Sequence, residues 1–293
     1  LRKFIIYEPD NIEILEILGE IFLNEKRFTE SIDTYNRLIE QFPDNEFYYS
    51  NIAMAYYELN NFEAAQKYYE KVLTFNEENT DILFKLGSIS NLLYQYGKSE
   101  EYLLESIHCG FTSKEILFEL GIAYGGQKKY LQALLSLKEA LNYSLEDPIL
   151  HYQIGIIYNE MEIFDLAITE FKQYINKIDN DPISFRLLGD CYAKLNEFEE
   201  SIINYRKALE LYNYEDIKTI YNLGLSYFKI SDNINAAKYF KSILKINYDY
   251  SEAHYMLIQT YLNLGKFREA KKECDILFML DTSLYNSLDY CIN

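Results

Sequence analysis

Between Pro182 and Glu215, apolar and small residues recur at helical spacing in two separate blocks. Phe185, Leu188, Gly189 and Tyr192 mark one face of a first helix, and Ser201, Tyr205 and Ala208 mark one face of a second. Asn196 and Glu197 break the pattern between them, and Phe198 anchors the turn. Shifting the window by 34 residues recovers the same columns almost everywhere. A fixed period of that size is the signature of a solenoid built from helix pairs.

Three columns carry the period. The small-residue column of the first helix reads Gly19, Ala53, Gly87, Gly121, Gly155, Gly189 and Gly224, and fails only at Ile258. Its counterpart in the second helix reads Ser31, Ala65, Ser99, Ala133, Ala167, Ser201, Ala236 and Ala270. Small side chains on both helices predict a close approach within each hairpin. An aromatic column, Phe22, Tyr56, Tyr124, Tyr158, Tyr192, Tyr227 and Tyr261, is interrupted by Ser90 and fills the space beside that approach. Tyr suits the place because its ring packs while its hydroxyl stays wet.

An apolar residue, then Leu-Gly, Tyr, Ala, Phe and Pro in this order resembles the tetratricopeptide repeat (TPR) pattern. The resemblance covers nearly the whole chain, in units 12–45, 46–79, 80–113, 114–147, 148–181, 182–215, 217–250 and 251–284, with Asp216 inserted before the seventh. It implies an all-α fold, a right-handed superhelical solenoid of about eight helix-turn-helix repeats forming one array over 1–293. Two columns depart from the family. The Trp that often opens the first helix is replaced by Leu15, Tyr49, Leu83, Leu117, His151, Phe185, Ile220 and His254. The closing Pro survives at Pro9 and Pro43 and otherwise is lost or moves to the next unit, as at Pro148 and Pro182. Residues 1–11 fall in the register of a preceding half repeat, and 285–293 begin a capping helix or a ninth repeat. Both ends therefore read as cut, which fits either a part of a longer protein or a mature chain with half-repeat caps.

Composition narrows the function classes. The formal charge of −18 argues against nucleic acid as the principal ligand, since phosphate binding draws on Lys and Arg. The acid is concentrated toward the N-terminal half; a solvated surface explains it most simply, and attraction of a basic partner segment is the sharper reading. No stretch approaches the roughly 20 consecutive apolar residues of a membrane span, and no signal peptide is visible, so direct membrane insertion is not expected. Cys109, Cys191, Cys274 and Cys291 show no paired spacing, which predicts reduced, structural thiols and a cytoplasmic setting. No cofactor is expected.

Two units stand apart. The third has Ser90 for Tyr, Tyr94–Gly97 in its inter-helix turn, and His108-Cys109-Gly110 at its end. The fourth carries Gly125-Gly126, which predicts an early helix end with a flexible turn, each Gly disfavouring helix by about 1 kcal/mol relative to Ala. Catalytic motifs are missing: no two histidines lie at i and i+4, and there is no Cys-x-x-Cys or phosphate-binding Gly-rich loop. His151 and His254 sit in a packing column, and Glu100-Glu101 and Glu199-Glu200 suit the first turn of a helix. The chain is not expected to be an enzyme.

In tetratricopeptide arrays the first helices line a concave face, with inward positions one place after the opener, then four and seven further on. Carried onto this chain, the first inward column reads Glu16, Ser50, Phe84, Phe118, Tyr152, Arg186, Tyr221 and Tyr255. Its aromatic members could receive successive apolar side chains of a peptide, or could pack along their own helices; both readings stand open. Asn51 and Asn222 occupy a place where relatives hold a ligand's backbone. The wall runs from Glu13, Glu16 and Glu20 through aromatics to Arg186, Lys194, Lys218 and Lys229, so a bound peptide should place its basic end on the first units. A clamp for chaperone carboxylates is disfavoured, because Glu16 and Glu20 stand where its Lys and Asn belong. The resemblance thus implies a non-enzymatic scaffold holding a peptide or protein partner in its groove to support assembly of a complex. The alternatives are a substrate-selecting or regulatory arm of a larger enzyme, such as a glycosyltransferase or kinase, and self-association.

Overall fold

The computed structural model describes residues 11–213 and 215–288. The expected half repeat at 1–11 thus lies, but for its last residue, outside the described residues, as does Cys291. Two compact units divide the chain, one ending at Glu146 and the other beginning at Asp147. All regular structure among the described residues is helical. The first unit holds four helix pairs: α1 (Ile12–Asn24) with α2 (Phe28–Gln41), α3 (Glu46–Glu58) with α4 (Phe62–Leu73), α5 (Thr80–Leu92) with α6 (Tyr96–His108), and α7 (Lys114–Gly126) with α8 (Tyr130–Tyr143). The second holds four more: α9 (Pro148–Glu160) with α10 (Phe164–Ile175), α11 (Pro182–Lys194) with α12 (Phe198–Leu211), α13 (Ile217–Lys229) with α14 (Asn233–Ile246), and α15 (Ser251–Asn263) with α16 (Phe267–Leu280), followed by the short α17 (Thr282–Asn286).

Seven of the eight first helices start at a side-chain cap. Asn11, Asn45, Asn79, Ser113, Asp147, Asp181 and Asp216 accept a backbone N–H from the first turn, and only Tyr250 in this column does not. Capping satisfies a donor the helix leaves open and contributes about 1 kcal/mol. Pro148 and Pro182 follow their caps at the first helical position, where a missing N–H costs nothing. Asp216 is thus the cap of α13, and Asn213, just upstream, takes a left-handed conformation with φ 51°.

The turns within pairs share one geometry. Lys26, Asn60, Tyr94, Lys128, Glu162, Asn196, Ser231 and Gly265 all have positive φ, between 56° and 69°. The next N–H closes on the carbonyl of the aromatic-column residue (Ser90 in the third pair), from Arg27 to Phe22 at 2.7 Å through Lys266 to Tyr261 at 2.9 Å. This is a Schellman closure, usually made with Gly; here only the last turn uses one. In the third pair the turn comprises Leu93–Gln95, so Gly97 already belongs to α6.

The close approach within pairs is a notch and a filler. A Cβ placed on Gly19, Gly87, Gly121, Gly155, Gly189 or Gly224 would lie 2.5–2.8 Å from Tyr35, Leu103, Leu137, Phe171, Tyr205 or Phe240 respectively. The eighth pair reverses the sizes: Ile258 stands at the notch position and Cys274 at the filler position, both fully buried. Beside the notch, Tyr56 stacks on Tyr68 and Tyr227 on Tyr239, each with centroids 5.5 Å apart. Ser90, which replaces an aromatic, is fully buried and accepts a hydrogen bond from Gln66 Nε2 at 3.1 Å; the same nitrogen donates to Gln95 Oε1 at 3.1 Å. Side-chain amides thereby join α4 to α5 and to the turn after it.

Two expectations need correction. The Gly125-Gly126 pair does not end its helix early, because α7 runs 13 residues to Gly126, as long as every other first helix. A Cβ on Gly126 would come within 2.4 Å of the Tyr96 ring at the start of α6, so close packing is what a side chain there would disrupt. The second correction concerns Cys274, which is disulfide-bonded while Cys109 and Cys191 are free thiols. Bridging depends on separation in space, which sequence spacing does not report, and a disulfide removes the support that reduced thiols lent to a cytoplasmic setting. Burial, and then Asp190, push the Cys191 thiol up to about 12.

His151 and His254 are hydrogen-bonded packing residues. Nδ1 of His151 lies 2.7 Å from Glu170 Oε2. His254 is fully buried, with Nδ1 2.6 Å from Glu273 Oε2 and Nε2 2.8 Å from the Tyr248 carbonyl. With Glu273 ionised both partners are acceptors, an arrangement that favours the doubly protonated ring.

Candidate functional site

The inner positions of the first helices build a cavity in each unit. In the first unit a space of about 560 Å³ opens between α3, α5 and α7. Helical spacing puts Phe84, Ser88, Asn91 and Leu92 of α5 on one face, toward Met54, Tyr57 and Glu58 of α3 and Glu119 and Ile122 of α7. Met54, Tyr57 and Leu92 keep roughly two-fifths of their surface exposed. The Asn91 amide donates to both the backbone carbonyl and the carboxylate of Glu119, at 2.8 and 2.7 Å. Its Oδ1 is therefore turned the other way, and is buried without a partner; Ser88 Oγ is likewise buried without one. Lys85, a cation in the lining, is held 2.7 Å from Asp81 on its own helix.

The second unit has a cavity of about 490 Å³ between α9, α11, α12 and α13, organised around Asp190. This carboxylate accepts hydrogen bonds from the Tyr205 hydroxyl at 2.6 Å, Asn222 Nδ2 at 2.9 Å and Arg186 Nη1 at 3.1 Å. Burial, reinforced by Asp190, holds the Tyr205 phenol well above its ordinary range. Lys194 and Lys229 line the same space.

The structure places the expected inner residues in different settings. Phe84 lines the first cavity and packs on Leu103, Ile116 and Leu120. Phe118 is half-buried. Tyr152 packs on Phe171 and Tyr174, with centroids 6.0 and 5.0 Å away. Tyr221 packs on Phe240 and Tyr250 at 5.7 and 6.0 Å; burial, with Tyr250 next, pushes its phenol up to about 12. Tyr255 lies against the core of the second unit. Arg186 and Asn222 meet at Asp190, whereas Asn51 donates to the Phe47 carbonyl of its own helix at 2.9 Å. Glu16 accepts from the Tyr48 hydroxyl at 2.5 Å, and Glu20 is exposed. Sequence reasoning followed the first inward column in full and added Asn51, Asn222, Glu20 and a few lysines; Ser88, Asn91 and Ile122, which line the first cavity, and Asp190, the hub of the second, stand in the columns four and seven places further on and were not named.

Residues 1–46 match one model of the tetratricopeptide repeat and residues 48–79 and 187–214 match another. Among solved structures, YrrB, described as a TPR protein with an unusual peptide-binding site, aligns with a TM-score of 0.53 and 18% identity over 64% of this chain and 95% of its own. MamA residues 41–end from Desulfovibrio magneticus RS-1 align at 0.55 and 20% identity, over 58% of this chain and 96% of that one. The hetero-tetramer Cut9–Hcn1 of the APC/C aligns at 0.55 and 13% identity, over 98% of this chain and 57% of that one. No curated protein matches the sequence. Paired helices at a 34-residue period, with notch, filler and Schellman closure, define a helical-repeat solenoid of the kind that serves as a protein-interaction scaffold. The matched segments, 1–46, 48–79 and 187–214, are tetratricopeptide repeats. Among the described residues, no helix is long and apolar enough to cross a membrane.

Proposed function

We propose that the chain binds a peptide segment of a protein partner along its first-helix wall and so supports assembly of a complex. The observation that carries this reading is the cavity of the first unit. Three consecutive first helices bound it, half-exposed apolar side chains wall it, and two of its lining residues, Ser88 and Asn91, carry a buried polar atom without a partner. Apolar walls with a few placed polar groups are the usual make-up of a binding site. YrrB, with a peptide-binding site, and Cut9–Hcn1, a hetero-tetramer, are similar arrays that engage peptide or protein. The acidic side chains toward the N-terminus, Glu16 and Glu20 among them, favour a segment with basic residues there.

The test uses Tyr57→Ala and Leu92→Ala together, because both side chains are partly exposed and contribute less to folding than Tyr152 or Tyr221. Partners captured by the intact chain and by this variant are compared after circular dichroism has established equal helicity. Loss of at least one partner is expected; retention of every partner would sink the reading.

A further inference from the structure

We propose that the cavity between α3, α5 and α7 is a receptor for an arginine side chain of the bound segment, an inference that rests on the peptide-binding reading above. Asn91 is 7% exposed, and its amide orientation is fixed from one side, since the NH₂ group serves both the carbonyl and the carboxylate of Glu119. Its Oδ1 then faces away with no donor to meet it. A buried acceptor left open is costly, and a ligand N–H relieves that cost on binding. Ser88 Oγ, close by in the same lining, is open as well.

Charge decides what sort of donor fits. Glu58 and Glu119 line the cavity, and Lys85 is already paired with Asp81, so a ligand cation meets carboxylates without a competing free cation in the lining. The walls above them are apolar: Met54, Leu92 and Ile122 suit the methylene stem of a long basic side chain, which buries its chain while its head reaches polar partners. Between the two basic side chains, arginine fits better. Its planar guanidinium carries five donors, enough to meet Asn91 Oδ1, Ser88 Oγ and a carboxylate together, and it sheds water more readily than an ammonium.

Phage selection on the intact chain, with randomised dodecapeptides, provides the test. Enriched peptides are expected to share an arginine beside an apolar residue. The best of them, synthesised with a fluorophore and titrated by anisotropy, should lose at least tenfold in affinity when that arginine becomes citrulline, which keeps the shape and removes the charge. A comparable loss is expected in Glu119→Gln and a smaller one in Glu58→Gln, an exposed site whose change leaves folding intact. Peptides that need Tyr57 and Leu92 but bind equally well with citrulline or lysine would overturn the arginine receptor and leave the groove standing. Failure to enrich any peptide, or enrichment of peptides indifferent to Tyr57→Ala and Leu92→Ala, would overturn both.

Discussion

Single residues in this chain act in matched pairs. Gly121 and Leu137 show it most plainly, since a Cβ on the glycine would sit 2.5 Å from Leu137 Cγ. Gly121→Ala gains about 1 kcal/mol of helix propensity but forces overpacking of about 1–3 kcal/mol, so a net loss of stability near 1 kcal/mol is expected. In a Leu137→Ala background the same change should stabilise, and additive denaturation energies would refute the pairing. His254 gives a pH dependence. Burial lowers its pKa, but the Glu273 hydrogen bond, the Tyr248 carbonyl and the charges of Glu273 and Asp249 outweigh that and raise it overall. With the folded pKa above the unfolded value, the contribution is complete below about pH 6.5 and is lost as pH rises through the folded pKa. Urea midpoints of the natural chain should therefore fall more from pH 6 to pH 9 than those of His254→Phe; parallel profiles would exclude the imidazolium. The glycine column was legible because absence of a side chain shows in any sequence. Its fillers, Tyr35, Leu103, Leu137, Phe171, Tyr205 and Phe240, are ordinary large residues, and only the packed pair reveals their role.

At the scale of helices and turns, the period of 34 made the consecutive helix pairs legible because it reports backbone geometry repeated many times over. The Schellman turns were harder to see, since Lys, Asn, Tyr, Glu and Ser in the closing position share no chemistry. They share only a left-handed conformation, which costs a residue with a Cβ roughly 1–2 kcal/mol. Tyr94→Gly and Glu162→Gly are therefore expected to raise stability by about 0.5–1 kcal/mol each, after the added flexibility of the unfolded chain is subtracted. Thermal melts of the two single variants and the double check both the sign and the additivity. The third and fourth pairs show how a column can be read wrongly when only one chain is in view. Ser90 looks like a lost aromatic and is a hydrogen-bond acceptor for Gln66, and Gly126 looks like a helix end and makes room for Tyr96.

For the molecule as a whole, each unit has its own core of notch, filler and aromatic stack. Residues 147–293 expressed alone are expected to be helical by circular dichroism and to melt cooperatively; a random-coil spectrum would refute this. The candidate site was less legible than the fold. Inner positions could be enumerated from the resemblance, but whether an inner side chain lines open space or closes against a neighbour depends on what stands one helix away. Phe84 and Tyr152 illustrate the difference, one bordering a cavity and the other covered by Phe171 and Tyr174. Notch and filler also lie sixteen positions apart within a single pair, and this bears on how such a gene can grow. Unequal crossing-over between repeats keeps each glycine with its own filler. A crossover inside the turn of the eighth pair would instead join Ile258 to a full-sized filler, or Cys274 to a glycine, leaving either a clash or a hole. Duplications in this array should therefore have breakpoints between pairs, since the reversed sizes at Ile258 and Cys274 fit only each other.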